Sequence, residues 1–308
     1  MPAQQRAPAV LAVIGLALAA RAACADPAGF AFLEVPAGAR ASALGGAYAS
    51  LAQGAEAVYW NPAGLSGTRG VELTASHYEF FQSLRHDQFA IATHRLGGGL
   101  AASIRAQYSE PITARDEIGN EIGTFGSHDL DFALGYGAVV APGLSLGGAT
   151  QYVRERIADD AAGTWAFDLG AGWDPGEAGG LQLALAAQNL GPAAHFTIDG
   201  APGEPVPLPA AVQGGCSYAV GLGPTLGLRA ALEARLTRGR NGIGLLGAEL
   251  ESPGTGAAFR LGWRVNDSAS TLSVGAGYER HALRFDYAFV PYRLDLGDTH
   301  RLSFAARF

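Results

Sequence analysis

The sequence predicts an all-β chain: a transmembrane antiparallel up-and-down β-barrel of about 14 strands with a short N-terminal helical or irregular plug segment. Three observations predict it. From Val71 to the end, segments of about ten residues alternate apolar with small or polar positions. Beyond residue 25, no apolar run reaches the roughly 20 residues that a membrane-spanning helix needs. Charged residues make up only 16%, with 44 glycines and no lysine, whereas about 25% charged is ordinary for a soluble domain. A barrel explains this mildly apolar, charge-poor balance, because its apolar outer face alternates with a polar inner one.

Residues 1–25 read as a signal peptide. Arg6 supplies a short positive region, Val10 to Ala20 an apolar stretch too short to span, and Ala23-Cys24-Ala25 a small-x-small cleavage site. Arg21 stands where a lipidation signal wants an apolar residue, so Cys24 reads as part of the cleaved peptide.

Residues 26–69 read as a plug. Val35 to Asn61 is rich in alanine and glycine, with a helix expected from Ala39 to Leu51, followed by the turn Trp60-Asn61-Pro62-Ala63-Gly64. A barrel of about fourteen strands is too wide for wall side chains to fill, so a compact segment can occupy the lumen. Gly45 and Gly46 permit close backbone approach or positive φ. Pro62 stops local structure, and Gly64 permits a tight turn before the first strand. Arg40 is the one cation in a long apolar stretch and is expected to pair with a lumen carboxylate such as Asp129, Asp131 or Asp168. We read Arg40, Gly45, Gly46, Asn61, Pro62 and Gly64 as a structural or gating site, clipped to the wall, rather than as a substrate contact.

Residues 70–308 read as the barrel. Leu130, Phe132, Leu134 and Tyr136 alternate with Asp129, Asp131 and Gly135; Trp165, Phe167 and Leu169 alternate with Asp168 and Gly170; Phe259, Leu261 and Trp263 alternate with Arg260 and Arg264. Period two fits these segments and helical periodicity does not. A soluble β-sandwich also alternates, but here Tyr108, Tyr152, Trp173, Tyr218 and Tyr278 stand at segment ends, as interfacial aromatic girdles do. Connections after even-numbered segments are short, such as Ala141-Pro142-Gly143; several after odd ones are longer, such as Ser109 to Phe125 and Gly191 to Leu208. Outer-membrane barrels combine short periplasmic turns with long outer loops, which places both termini in the periplasm and the chain in the cell outer membrane. The terminal Phe308, inside an alternating last strand, resembles the signal read by barrel-assembly machinery.

The inward parity gathers charges of both signs: Arg105, Asp129, Asp131, Asp168, Arg229, Glu233, Arg260, Arg264, Glu279, Arg284 and Asp286. They read as a lattice across the lumen; a selective pore favours one sign. Cys216 is the only cysteine beyond the signal peptide, so it forms no internal disulfide, and it reads as a small wall residue. The seven histidines show no metal-ligand spacing, and no catalytic constellation has a local signature. We expect no metal, no cofactor and no enzymatic activity. The net charge of −7 without basic patches argues against nucleic acid as a partner.

The block from Phe32 to Gly67 carries Gly38-Ala39-Arg40, Gly45-Gly46-Ala47-Tyr48 and Trp60-Asn61-Pro62-Ala63-Gly64-Leu65; Gln188-Asn189-Leu190-Gly191 and Pro207-Leu208-Pro209 follow later. It resembles the N-terminal signature of the PorV/PorQ family of outer-membrane barrels, itself similar to the FadL-type long-chain fatty-acid transporters. The resemblance implies a fourteen-strand barrel with an N-terminal inner segment. It implies either of two roles: FadL-like passage of hydrophobic small molecules, or a protein-interaction barrel serving type IX secretion or surface attachment of cargo proteins. A lateral gap and an apolar pocket near the plug would favour the first role. Outer-membrane lipid and the assembly machinery are expected partners of either.

Overall fold

The computed structural model describes residues 28–80, 83–176, 180–198, 201–293 and 297–308. The signal peptide expected at residues 1–25 lies outside them. Among the described residues, the wall begins with β1 (Val71–Glu79), β2 (Leu84–Arg95) and β3 (Gly98–Ser109). A side hairpin, β4 (Ile112–Arg115) and β5 (Glu121–Phe125), stands off in its own two-stranded sheet. The wall continues with β6 (Ser127–Ala141), β7 (Leu144–Ile157), β8 (Asp160–Trp173) and β9 (Leu181–Leu190). A second hairpin, β10 (Ala194–Ile198) and β11 (Ala201–Val206), leans on β8. Then come β12 (Ala211–Gly221), β13 (Gly227–Thr237), β14 (Ile243–Ser252) and β15 (Ala257–Val265). Last are β16 (Leu272–Arg280), β17 (Leu283–Pro291) and β18 (Asp298–Arg307). Both extra hairpins grow from connections expected only as long loops.

Apart from the two hairpins, the antiparallel pairings form a closed ring of fourteen strands, sealed by β1 against β18 and β8 against β9. Closure removes most of the sheet edge, so the wall strands satisfy their backbones largely on their neighbours, as a lipid environment demands; the β8–β9 ladder covers only Phe167 to Trp173, and nearer the long connections β8 meets β10 at Ala161. At the seal, Val71 and Phe308 exchange backbone hydrogen bonds of 3.0 and 2.8 Å.

Register carries the alternation around the wall. Leu73, Ile91, Ala102, Leu134, Thr150 and Phe167 form one outward row across β1 to β8. The next row toward the long connections is Ala75, Phe89, Ile104, Phe132, Tyr152 and Trp165. Beyond it the outward face turns polar, with Asp87, Arg154, Arg85, His128 and Arg156. Large apolar side chains therefore point outward and stay uncovered, among them Leu134 at 63% exposure. An uncovered apolar belt with a polar upper margin is the outside of a protein solvated by lipid. Tyr152, Tyr218 and Tyr278 join the outward face as expected; Tyr108 and Trp173 are half-buried. Cys216 sits outward beside Tyr218 and Leu232, as a wall residue.

The core lies inside the ring and is built by the plug. A turn of 3₁₀ helix (Ala31–Glu34), the helix α1 (Ala39–Ala43), a second 3₁₀ turn (Gly54–Glu56), the helix α2 (Ala57–Trp60) and a third 3₁₀ turn (Pro62–Gly67) run through the lumen. The expected helix from Ala39 to Leu51 stops at Ala43. The Gly46 N–H closes on the Ala41 carbonyl at 2.9 Å with Gly45 at φ +68°, a Schellman ending that only a left-handed residue completes. Phe30 packs with Phe32, Leu33, Val153, Ala162, Ala166, Ala194 and Leu208 at the long-connection rim, while Phe308 ends at the short-turn rim. Residues 28–30 thus lie near the long-connection rim and Phe308 at the short-turn rim, while the N-terminus expected at Asp26 lies outside the described residues.

Candidate functional site

The plug is a backbone-rich segment enclosed by wall side chains, so its polar groups must be satisfied by the wall. Gln88 accepts from the Gly38 N–H at 3.1 Å. Glu233 accepts from the Ala49 and Ser50 N–H groups at 3.0 and 2.8 Å. Gln213 donates to the Gly46 carbonyl at 2.9 Å, and Gln188 to the Tyr59 carbonyl at 2.7 Å. Asn61 holds a corner: its Oδ1 accepts from the Ala63 N–H, capping the third 3₁₀ turn, while Nδ2 donates to Ala171 O on β8. That corner presses so close to the wall that a Cβ on Gly137, Gly147 or Gly170 would collide with Pro62 or Asn61. Gly64 serves packing rather than a turn: it lacks positive φ, and a Cβ there would strike Ala52 O.

Arg40 pairs with none of the expected aspartates. Its guanidinium meets Glu249 on β14, with Nε to Oε2 at 2.8 Å and NH2 to Oε1 at 2.6 Å. Glu249 also takes Arg229 and Arg260, and Arg260 continues to Asp286, which takes Arg284. Asp129, Asp131 and Asp168 lie in another sector. Asp131 pairs with Arg105 at 3.0 Å; Asp129 accepts from Gln107, and Asp168 from the Asn189 N–H. Arg264 holds the Gly45 carbonyl and Asp267. The inward charges therefore divide into a lattice on β13 to β17, a separate Arg105–Asp131 pair with Asp129 beside it on Gln107, and single hooks for backbone such as Arg264 and Asp168.

The plug leaves space on both sides. Toward the long connections lies a vestibule of about 460 Å³, lined by Phe32, Val35, Trp60, Leu245, Arg235 and Tyr292 among others. Glu34 stands at this rim; burial raises its pKa, and Arg240 at 2.8 Å opposes the rise. Toward the short turns lie two adjoining polar spaces of about 220 and 480 Å³, both bordered by Arg40, Arg229, Glu279 and Arg284.

The wall is irregular at the seam between β8 and β9. The β8–β9 ladder shifts register between Phe167 and Leu169, where Asn189 takes φ +56°. The seam is backed from inside by Phe30, Phe32, Leu33 and Leu208. This is the place of the Gln188-Asn189-Leu190-Gly191 and Pro207-Leu208-Pro209 motifs: Asn189 Nδ2 donates to Pro209 O at 3.2 Å.

This architecture has relatives among solved structures. The Pseudomonas putida toluene transporter TodX is similar at 13% identity and a TM-score of 0.61, over 93% of this chain and 100% of that one. The Ralstonia pickettii toluene transporter TbuX matches at 14% and 0.59, over 88% and 98%. The chain has a FadL-like fold. A Pseudomonas aeruginosa FadL homologue also matches this FadL-like barrel, at 11% identity and a TM-score of 0.51, over 88% and 98%. No protein-family profile matches the chain. No curated protein matches it either. The PorV/PorQ likeness thus stays a resemblance of the N-terminal block.

Glu249, Glu56, Gln88, Gln213 and Tyr59 also anchor the plug, with no motif to mark them, and Tyr48 and Gln188, which stand in the family-like motifs, prove to be anchors as well. The three glutamines and Glu249 occupy inward parity in their strands, so the alternation itself held the signal. Attention to charge alone missed the glutamines. Glu56 lay within an alanine-rich stretch read as helix and turn.

Proposed function

We propose that this chain is a passive conduit for hydrophobic small molecules across the outer membrane, and not an enzyme. The observation that carries the reading is the vestibule with mainly apolar side chains on one side of a plug that is fastened to the wall yet leaves space on both sides. Its wall sets Phe32, Val35, Leu245 and Tyr292 beside arginines such as Arg105, Arg235 and Arg264, and an apolar surface with placed polar groups suits an apolar solute. The apolar belt supports a membrane location, and the likeness to hydrocarbon transporters supports the choice of solute over the secretion alternative. In this reading the long connections face outward, Phe308 faces the periplasm, and the assembly machinery reads that residue. Arg40, Gly45, Gly46, Asn61, Pro62 and Gly64 keep the plug seated.

The test is uptake. Cells whose outer membrane limits entry, expressing the chain, should take up labelled toluene faster than cells without it, while a hydrophilic solute of similar size gains nothing. Equal toluene rates in both cells, or an equal gain for the hydrophilic solute, would refute the reading.

A further inference from the structure

The plug leaves the lumen in two spaces, and a pair of rings in contact borders both of them. Trp60 lines the vestibule, and Tyr48 lines the smaller polar space. Their centroids lie 5.7 Å apart in edge contact, and both rings are buried. The two rings are held differently. Trp60 Nε1 donates to Ala37 O at 2.9 Å, a bond inside the plug. The Tyr48 hydroxyl donates to Glu56 Oε2 at 2.6 Å, and Glu56 Oε1 is held by Arg284 on β17 at 2.9 Å. Arg40, fixed on Glu249, lies over the Tyr48 ring with its Cζ 5.7 Å from the centroid. Space of about 220 Å³ borders Tyr48 on the side away from Trp60.

We propose that Tyr48 is a swinging gate on an axial path through the plug, and that the Glu56–Arg284 pair is its latch. Releasing the hydroxyl from Glu56 and turning the ring about χ1 into the polar space joins that space to the vestibule. The plug backbone need not move, because its bonds to Gln88, Glu233, Gln188 and Gln213 involve none of these atoms. The gate differs in consequence from expulsion of the whole plug: it opens a narrow path and leaves the core intact. Its biological meaning rests on the passage reading, but its test does not, because ions report the opening whatever the protein carries.

Planar-bilayer recordings in potassium chloride read the gate. The wild type should stay closed for most of the record. Tyr48→Ala should add a steady conductance step, and Tyr48→Leu, which keeps more of the volume, a smaller one. Tyr48→Phe, which loses the bond to Glu56 and the 3.4 Å contact from Arg40, and Glu56→Gln, which leaves only a neutral acceptor, should open about 10- to 100-fold more often at the wild-type step size, the scale of a hydrogen bond to a charged partner. Cys216→Ala, on the outer wall, should behave as wild type. Heat-modifiable gel mobility confirms folding of each. Folded Tyr48→Ala and Tyr48→Leu barrels as tight as wild type would overturn the gate. Tyr48→Phe and Glu56→Gln barrels that open no more often than wild type would overturn the latch. Conductance through Tyr48→Ala beside unchanged toluene uptake on expressing the wild type would leave the gate standing and remove the passage reading.

Discussion

Placing arginine at Leu134 measures the orientation of the wall directly. Leu134 stands midway along β6 and 63% exposed, in a row with Leu73, Ile91 and Phe167. His128, the first polar outward residue above it on β6, is six positions away, about 20 Å along the strand at roughly 3.3 Å per residue. An arginine there cannot easily reach water, and the cost expected at a bilayer midplane is about 2–4 kcal/mol. That lowers the folding equilibrium constant by about 30- to 1000-fold. Leu261, at the middle of β15, should behave alike, whereas Leu169, one row nearer the short turns, should cost less. The inward comparison needs a position free of the plug. Gly135 and Gly170, inward by parity, are unsuitable, because a side chain at either meets Leu65, Val58 or Asn61. Thr74 faces the polar space beside Glu72 and Glu279, so Thr74→Arg should stay within about 1 kcal/mol of wild type. Denaturant titrations of protein folded into lipid vesicles supply the numbers. Equal costs at Leu134 and Thr74 would refute the assignment of faces.

Three further outcomes follow from the plug and the seal. Glu249→Gln should destabilise the folded barrel by about 3–5 kcal/mol, because it strips three arginines of a buried partner, while Arg40→Met should cost only about 1.5–3 kcal/mol, since Glu249 keeps Arg229 and Arg260; the same titrations rank them. Gly170→Ala should cost about 1–3 kcal/mol by driving Asn61 from the wall, whereas Gly148→Ala, whose Cβ would meet nothing nearer than 3.6 Å, should stay within about 0.5 kcal/mol. Deleting Phe308 removes both backbone bonds to Val71 and should lower the amount of heat-modifiable, membrane-inserted barrel in cells; wild-type amounts would contradict its role in closure.

The wall was legible from the order of residues alone. Period two, strand length and the turn residues are local properties, so the fourteen strands and the two faces of segments such as Leu130 to Tyr136 were legible without any contact. The presence of an inner segment was legible too, because a fourteen-strand ring leaves room and residues 35–61 are small. The extent of α1 was misjudged, since alanine propensity suggests a longer helix than the Gly45–Gly46 ending allows.

Which residues meet inside the ring depends on how the plug and the strands are set against one another. Arg40 and Glu249 are separated by 209 positions, and their meeting depends on the depth at which the plug sits and on the stagger of the strands. Neither quantity is written in a local period. An inward carboxylate on β6 or β8 looked as suitable as one on β14, because alternation reports the face a residue occupies and not its sector or height. The Tyr48–Trp60 partition arises the same way: two rings twelve positions apart meet only because the chain between them turns back across the lumen, and that turn is fixed by distant hooks, Glu233 on β13 and Gln213 on β12.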